Sequence, residues 1–399
     1  MWGPAMGLPP RLALSVLAGS GRSYILESGA ATRKGWLART RRGFSEIHPQ
    51  PLCDTDFEYA PAWAARARPE PTYHIINDKL ARNIARDILG QENPSRQLII
   101  ECNPGPGILT KALLRTGAKV VVFESEKLFI PHLKSLWKNG DGELQVVHCD
   151  LLRLDPRSKE PVRADFTSHA VFQDLGIEPV PWSAAGVPMK IFAILPNKHE
   201  RRVLWKILFD LYSCESIFRY GRVELYLFVS EKEFRKVTAT PERPDFYHVL
   251  GVLWQVACKI KFLHTEPGSS FNVYPEYGNL EKSKQGELLK VSRKNSLYLV
   301  RLTPRRNLFT EHLNPMTYET FFHMVKHCFG KRNAPIIQHL RSLSLLDPLT
   351  ILRQARRKPS EVVVKLHPYD FKKLFETIQC SEDSVFKWVY EDSLEDIEL

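Results

Sequence analysis

Three short apolar runs, each followed by an acidic residue, constrain the fold of this chain more than any other feature. The runs and their acids are 98–100 with Glu101, 119–123 with Glu124, and 144–148 with Asp150. A glycine-rich turn (102–107) and a helical run (108–116) separate the first two. Alternation of this kind predicts parallel strands, whose carboxyl ends meet at one edge of an open sheet. The three carboxylates are therefore expected to lie at that edge.

The turn after the first strand has the composition of a nucleotide-cofactor loop. Gly105 and Gly107 let the backbone approach a ligand closely. Glu124 is placed to accept the two hydroxyls of a ribose, and Asp150 to accept the amino group of an adenine. The motif is G-x-G, without a third glycine or a phosphate-loop lysine, which favours a cofactor that has no phosphate groups. S-adenosylmethionine is the predicted cofactor, and a plain structural turn is the alternative.

Charge and cysteine usage narrow the class of protein. The 399 residues include 56 Lys and Arg against 45 Asp and Glu, and the formal net charge of +11 favours polyanionic partners. The seven cysteines are scattered without a C-x-x-C pair, which argues against a zinc ribbon or a disulfide framework. His323 and His327 lie one helical turn apart but have no evident third ligand, so no metal site is predicted. No apolar run is long enough to predict a membrane span.

Composition divides the chain into segments. Residues 1–43 are rich in arginine with Glu27 as their only acid, which predicts a mitochondrial import leader; a secretory signal is the alternative. Residues 44–72 are rich in Pro and Ala and are expected to form a linker or extended arm. The pattern of 73–306 predicts an α/β domain, and that of 307–390 a small all-helical domain. An acidic tail, 391–399, ends the chain.

Periodicity places further elements within these two domains. Strands are expected at 189–195, 223–229, 259–264 and 297–302, and helices at 201–212, 248–258, 317–328, 336–343 and 369–378. Residues 156–187 contain several prolines and are expected to form an irregular insertion.

The motifs resemble those of the ribosomal RNA adenine dimethyltransferases. The shared segments are I-N-D at 76–78, E-x-x-P-G-x-G-x-L-T at 101–110, E-x-x-K at 124–127, D-x-L at 150–152 and F-G-K-R at 329–332. The resemblance implies an S-adenosylmethionine-dependent methyltransferase domain of Rossmann-like fold, followed by a small all-helical C-terminal domain. The cofactor-binding residues that it implies are Ile75, Glu101, Asn103, Gly105, Gly107, Glu124 and Asp150.

Two departures from the family pattern affect the expected chemistry. Asn103 stands where the family has the first glycine of the loop. The fourth-strand motif, Asn/Asp-Leu-Pro-Tyr/Phe in active members, reads Ile194-Leu195-Pro196-Asn197 here. Adenine methylation needs a polar acceptor for the target amino group and an aromatic face for the flipped base. Since Ile194 and Asn197 supply neither, methylation is expected to be weak or vestigial, and no catalytic residue is assigned.

One mitochondrial branch of the family implies another use of the scaffold. The run E-C-N-P-G-P-G-I-L-T and the M-W start with a basic leader resemble that branch most. The resemblance implies an initiation factor in the nucleoid of the mitochondrial matrix. It would act with the single-subunit mitochondrial RNA polymerase and mitochondrial transcription factor A to melt promoter DNA and hold it open. The alternative is S-adenosylmethionine-dependent dimethylation of two adjacent adenines in small-subunit ribosomal RNA.

Basic residues in the helical domain are the predicted nucleic-acid contacts. Gly330, Lys331 and Arg332 follow the helix expected at 317–328, and Arg341 lies on the next helix. Together they are expected to follow a phosphate backbone. The alternative is a solvated helix end whose cations complement the helix dipole.

Overall fold

The structure of the protein is a computed structural model, and it describes residues 72–136, 143–155, 167–195, 199–274, 296–381 and 387–389. Several expectations fall outside these residues. They concern the import leader, nearly all of the linker, Pro196 and Asn197 of the fourth-strand motif, and the acidic tail.

The elements are numbered here in chain order. The strands are β1 (Thr72–Ile75), β2 (Leu98–Cys102), β3 (Lys119–Phe123), β4 (Glu143–Val147), β5 (Met189–Ile194), β6 (Glu224–Ser230), β7 (Cys258–Pro267), β8 (Phe271–Tyr274) and β9 (Ser296–Pro304). The α-helices are α1 (Asp78–Leu89), α2 (Ile108–Leu114), α3 (Ile130–Leu136), α4 (Ser168–Asp174), α5 (Glu200–Ser213), α6 (Glu231–Val237), α7 (Val249–Ala257), α8 (Tyr318–Gly330), α9 (Ile336–Leu343), α10 (Pro348–Ala355) and α11 (Pro368–Cys380).

Seven strands form the central sheet in the order β4-β3-β2-β5-β6-β9-β7. The five strands from β4 to β6 pair in parallel, and β9 runs antiparallel to both of its neighbours. The α/β fold predicted from the sequence is confirmed. In the register of β2, β3 and β4, Cys102 lies beside Phe123 and Phe123 beside Val147. The chain therefore leaves all three strands at one level, and this level defines the candidate site.

Apolar residues on both faces of the sheet explain why helices cover it on both sides. Helix α1 buries Leu80, Ile84 and Ile88, which recur at helical spacing, and the side chain of Asn77 caps its first turn. On the other face, Tyr212 of α5 meets Phe322 of α8 with the ring centroids 4.8 Å apart. The helices after residue 307 thus share one apolar core with the Rossmann-like region.

The structure corrects the expectation for residues 156–187. Within this segment, predicted to be irregular, residues 168–174 form α4, whose first turn is capped by Thr167. The helix buries Phe172, which packs against Phe123 of β3. Two further strands, β1 and β8, were not predicted from the sequence, and they pair with each other in an antiparallel two-stranded sheet. Their pairing joins segments nearly 200 residues apart, so no local sequence pattern predicts it.

Among the described helices, none is long and apolar enough to cross a membrane.

Candidate cofactor site and nucleic-acid surface

The carboxyl ends of β2, β3 and β4 bring the predicted loop and its carboxylates together. Gly105 and Gly107 have φ angles of +59° and +72°, a region in which side chains other than glycine are strained. A Cβ atom on Gly105 would lie 2.2 Å from Nδ1 of His74. The position therefore requires glycine for its conformation and for the space around it.

Glu101 lies beneath the loop and is 2% exposed. The Thr110 hydroxyl donates a hydrogen bond of 2.7 Å to its carboxylate. Burial, reinforced by the nearby charge of Glu124, raises the pKa of Glu101 to about 8. This carboxyl group therefore carries a proton in much of the neutral pH range, and its bond with Thr110 joins β2 to α2.

Glu124 directly follows β3 and has no exposed surface. Its two oxygens accept hydrogen bonds from the backbone amides of Gly105 and Glu126, each at 2.8 Å. Burial raises the pKa of Glu124 to about 7 despite these two amide donors. The residue expected to bind a ribose thus lies against the glycine loop and is engaged with it.

Asp150 follows β4 and is half-buried. Its carboxylate accepts a hydrogen bond from the amide of Leu152 at 3.0 Å and pairs with Nε of Arg153 at 3.2 Å. These contacts cap the short 3-10 helix Leu151–Arg153 and fix the orientation of the carboxylate. The carboxylate is therefore held at the same sheet edge as Glu124.

Asn103 occupies a left-handed conformation with φ +49°, which asparagine tolerates better than most residues. Its side-chain oxygen accepts hydrogen bonds from the amide and the hydroxyl of Ser125, at 3.1 and 3.0 Å. Its backbone amide donates to the carbonyl of Phe123 at 2.6 Å. The residue that replaces the family's glycine therefore fits the loop and links it to the turn after β3.

His74 of β1 is a site residue that the sequence analysis missed. It is 1% exposed, Nδ1 lies 3.2 Å from the carbonyl oxygen of Asn103, and the ring contacts Phe129. Burial lowers the pKa of His74 to about 4, so the ring is neutral at physiological pH. The sequence feature that could have identified His74 as a site residue is its place as a polar residue within the short strand T-Y-H-I. The side chain of the neighbouring Ile75, expected at the cofactor, lies in the apolar core.

The residues present fit S-adenosylmethionine. Carboxylates follow the adjacent strands β3 and β4 at the positions expected for a ribose and an adenine, and the loop after β2 leaves no room for a side chain at Gly105. Glu124 and Asp150 are the residues that would hold the ribose and the adenine. The bound cofactor would supply an electrophilic methyl group.

The end of β5, where a target base is expected, carries no polar acceptor on its last residue. Ile194 is half-buried and packs against the apolar core. The amide of the next residue, Leu195, donates to the carbonyl of Phe228 at 3.1 Å. Glu200, which begins α5, accepts hydrogen bonds of 2.6 Å from both the amide and the hydroxyl of Ser230. This carboxylate is thus engaged in joining α5 to β6.

The basic residues predicted to bind nucleic acid differ in their surroundings. Lys331 and Arg341 are exposed, and Gly330 is the last residue of α8. Arg332 is half-buried and donates from Nη1 to the carbonyl of Pro244 at 2.8 Å, so it braces the helical region against the Rossmann-like region. The structure therefore brings Lys331 and Arg341 to the surface and assigns part of Arg332 to packing.

Further positive charges lie near Arg332. Burial first, and then the charges of Arg332, Lys236 and Arg201, lower the pKa of His248. Arg201 lies in α5, Lys236 in α6 and Arg332 after α8. Their spacing in the sequence does not show that all three lie near His248. Within the described ranges, no group of three His, Cys, Asp or Glu residues is placed to hold a metal ion.

Comparison with known proteins relates the whole chain to one family. The model of the ribosomal RNA adenine dimethylase family matches residues 66–379. Dimethyladenosine transferase 2, mitochondrial, of Rattus norvegicus is 67% identical over 100% of both chains. The protein of the same name from Homo sapiens is 51% identical over 99% of this chain and 100% of its own. A dimethyladenosine transferase structure from Plasmodium falciparum, 14% identical, covers 75% of this chain and 95% of its own with a TM-score of 0.50, which supports the fold alone.

Proposed function

The chain belongs to the ribosomal RNA adenine dimethylase family, and we propose that it is a mitochondrial protein that uses this methyltransferase scaffold to assist the initiation of transcription. S-adenosylmethionine is the cofactor of the scaffold. In the proposed role, the protein acts with the single-subunit mitochondrial RNA polymerase and mitochondrial transcription factor A. It melts promoter DNA in the nucleoid and holds the opened strand.

The observation that carries this proposal is the apolar end of β5. Methyl transfer to an adenine amino group needs an acceptor that orients the amino nitrogen, and Ile194 offers only a half-buried hydrocarbon side chain that packs against the core. Loss of base stacking at Asn197 would remove a further 1–3 kcal/mol, roughly, or about ten- to a hundredfold in rate. A family member with this erosion is better suited to binding nucleic acid than to modifying it.

Charge also supports nucleic-acid binding. Without residues 1–43, the chain has 49 Lys and Arg against 44 Asp and Glu, and this formal net charge of +5 still attracts a polyanion. The exposed Lys331 and Arg341 add local positive charge in the helical region. Contacts of this type bind the phosphate backbone of a nucleic acid and do not distinguish one base sequence from another. They suit a protein that holds a melted strand.

Reconstituted transcription tests the proposal directly. Purified mitochondrial RNA polymerase and mitochondrial transcription factor A are supplied with promoter DNA at fixed salt, with and without this protein from residue 44 onward. One template is fully duplex, and its matched control is melted beforehand around the start site. We expect full-length transcripts from the duplex only when the protein is present, and little dependence on it with the melted template. A duplex that gains nothing from the protein would contradict the role in initiation.

Dimethylation of two adjacent adenines in mitochondrial small-subunit ribosomal RNA remains the second candidate function. The retained arrangement of Glu101, Glu124 and Asp150 around the glycine loop favours it. Transfer of labelled methyl groups to a fragment of that RNA, measured on the protein preparation used for transcription, separates the two functions. Rapid dimethylation by a protein that does not stimulate the duplex promoter would make this candidate the leading one.

Replacing both Lys331 and Arg341 with Ala should weaken binding to single-stranded DNA and flatten its salt dependence. Each lost phosphate contact should reduce the slope of log affinity against log salt by about 0.7. Melting temperature should change little because both side chains are exposed. Arg332→Ala serves as the comparison, since it removes the contact with Pro244 and should lower the melting temperature. An unchanged slope for the double variant would remove both residues from the nucleic-acid surface.

A further inference from the structure

Two hydrogen bonds join the glycine loop to the turn after β3. Both are accepted by the side-chain oxygen of Asn103, and both are donated by Ser125, from its amide at 3.1 Å and its hydroxyl at 3.0 Å. The loop follows β2 and the turn follows β3, so these bonds connect the two walls of the cofactor site. We call this pair the Asn103–Ser125 clasp.

The carboxylate of Glu124 lies just behind the clasp. One oxygen is bound to the amide of Gly105 in the loop, and the other to the amide of Glu126 in the turn. With no exposed surface on Glu124, a ribose cannot reach this carboxylate while loop and turn stay together. On the far side of the loop, the ring of His74 fills the space beside Gly105. The loop and the turn must therefore separate before a ribose can replace these protein contacts.

We propose that Asn103 sets the affinity for the cofactor, because the Asn103–Ser125 clasp holds the site closed and must open before S-adenosylmethionine can bind to Glu124. The proposal rests on the family's cofactor and is independent of the role in transcription. Failure of one therefore leaves the other unaffected.

A purely structural role for Asn103 makes a different prediction. Asparagine in a left-handed turn often bonds to a nearby backbone amide and stabilises only the turn. Away from the site, Asn93 has an extended backbone but makes the same two bonds, since its side chain accepts hydrogen bonds from the Ser95 amide at 3.1 Å and the Ser95 hydroxyl at 2.9 Å. This pair caps the exposed 3-10 helix Pro94–Arg96. It provides a matched control with the same bonds and no connection to Glu124.

Calorimetric titration with S-adenosylmethionine and with S-adenosylhomocysteine tests the proposal without any methyl transfer. Asn103→Gly removes both bonds and restores the family residue in a conformation that glycine adopts freely. It should tighten binding of both ligands on the order of tenfold, since two hydrogen bonds no longer oppose opening. Ser125→Ala removes only the hydroxyl donor and should give a smaller gain. Asn93→Gly and Ser95→Ala should leave both affinities unchanged.

Several results would overturn the proposal. One is an Asn103→Gly protein that melts cooperatively but binds no more tightly than the wild type. An equal gain in affinity in Asn93→Gly or Ser95→Ala would also overturn it. So would the absence of detectable binding by both the wild type and Asn103→Gly. If Asn103→Gly fails to fold, the affinity of Ser125→Ala tests the proposal instead. This variant keeps the bond that the amide of residue 125 donates to Asn103, so it is the milder change. Binding no tighter than that of the wild type would then overturn the proposal.

Hydrogen exchange at Ser125 provides a second readout. Its amide donates to Asn103 in the clasp, so exchange should be slow in the free protein and at least several-fold faster at a saturating cofactor concentration established by calorimetry. The amide of Ser95 reports on the control pair and should not respond. Equal or slower exchange of the Ser125 amide in the saturated protein would show that the clasp stays closed, and would overturn the proposal.

Discussion

Glu101→Gln should stabilise the protein relative to the wild type by an amount that grows steadily from pH 5 to pH 8. The carboxyl group is buried, and its pKa is raised to about 8 from an ordinary value of 4.5. Below pH 4.5 it is protonated in both the folded and the unfolded chain, and its full contribution to stability is present. As pH rises towards 8, only the unfolded chain readily releases the proton, so this contribution is progressively lost.

Gln stays neutral and keeps an acceptor for the Thr110 hydroxyl, so the variant should not show this loss. The difference in unfolding free energy should be small near pH 5 and on the order of 3–5 kcal/mol near pH 8. Urea unfolding at pH 5, 6.5 and 8 measures it. Glu178→Gln, at an exposed position, is the control and should show little change with pH. A difference between Glu101→Gln and wild type that is constant across these pH values would contradict the prediction.

The parts of the site predicted from sequence are those with a local signal. The run 98–100 and its following Glu101 identify β2 and its carboxyl end without knowledge of any distant residue. Repetition of that pattern at Glu124 and Asp150 then places both carboxylates at one edge, because parallel strands align their ends. The sheet and the grouping of these acids could therefore be predicted before the structure was known.

Contacts between distant segments account for what was missed. His74 reaches the loop only because β1 pairs with β8, and each of these strands has four residues. The bond between Asn103 and Ser125 joins residues that look unrelated in sequence, since neither belongs to a periodic pattern. The alternation of β1 that brings His74 to the loop also places the Ile75 side chain in the apolar core, and the place of Ile75 at the cofactor stays a prediction. Such arrangements follow from tertiary packing and leave no periodic pattern in the sequence.

Arg222 shows the same dependence on tertiary structure on a larger scale. Its side chain is buried and lies within hydrogen-bond distance of five backbone carbonyls. Nε donates to that of Trp182 and Nη1 to that of Pro304, and Nη2 shares its two hydrogens among those of Ala184, Ala185 and Gly186. The residues from Trp182 to Gly186 lie in the segment predicted to be an irregular insertion, and no sequence pattern indicates a role for Arg222. In the same loop, Nε1 of Trp182 donates a hydrogen bond of 3.2 Å to the carbonyl oxygen of Arg305. One guanidinium thus orders the loop at the junction with the helical region.

Arg222→Met should therefore destabilise the protein by about 2–3 kcal/mol, because it removes the donor of the Pro304 carbonyl, which is buried, and the donors that order the partly exposed loop. Arg222→Lys should cost less, since an ammonium group offers three donors where the guanidinium has five. Urea unfolding at fixed pH measures both, with Arg219→Met as the control, an exposed arginine in the preceding 3-10 helix, Ser216–Tyr220. A loss below about 1 kcal/mol for Arg222→Met would mean that water satisfies these carbonyls after substitution. The loop would then be ordered by its apolar contacts, chiefly the packing of Trp182 on Phe309 at 4.8 Å between ring centroids.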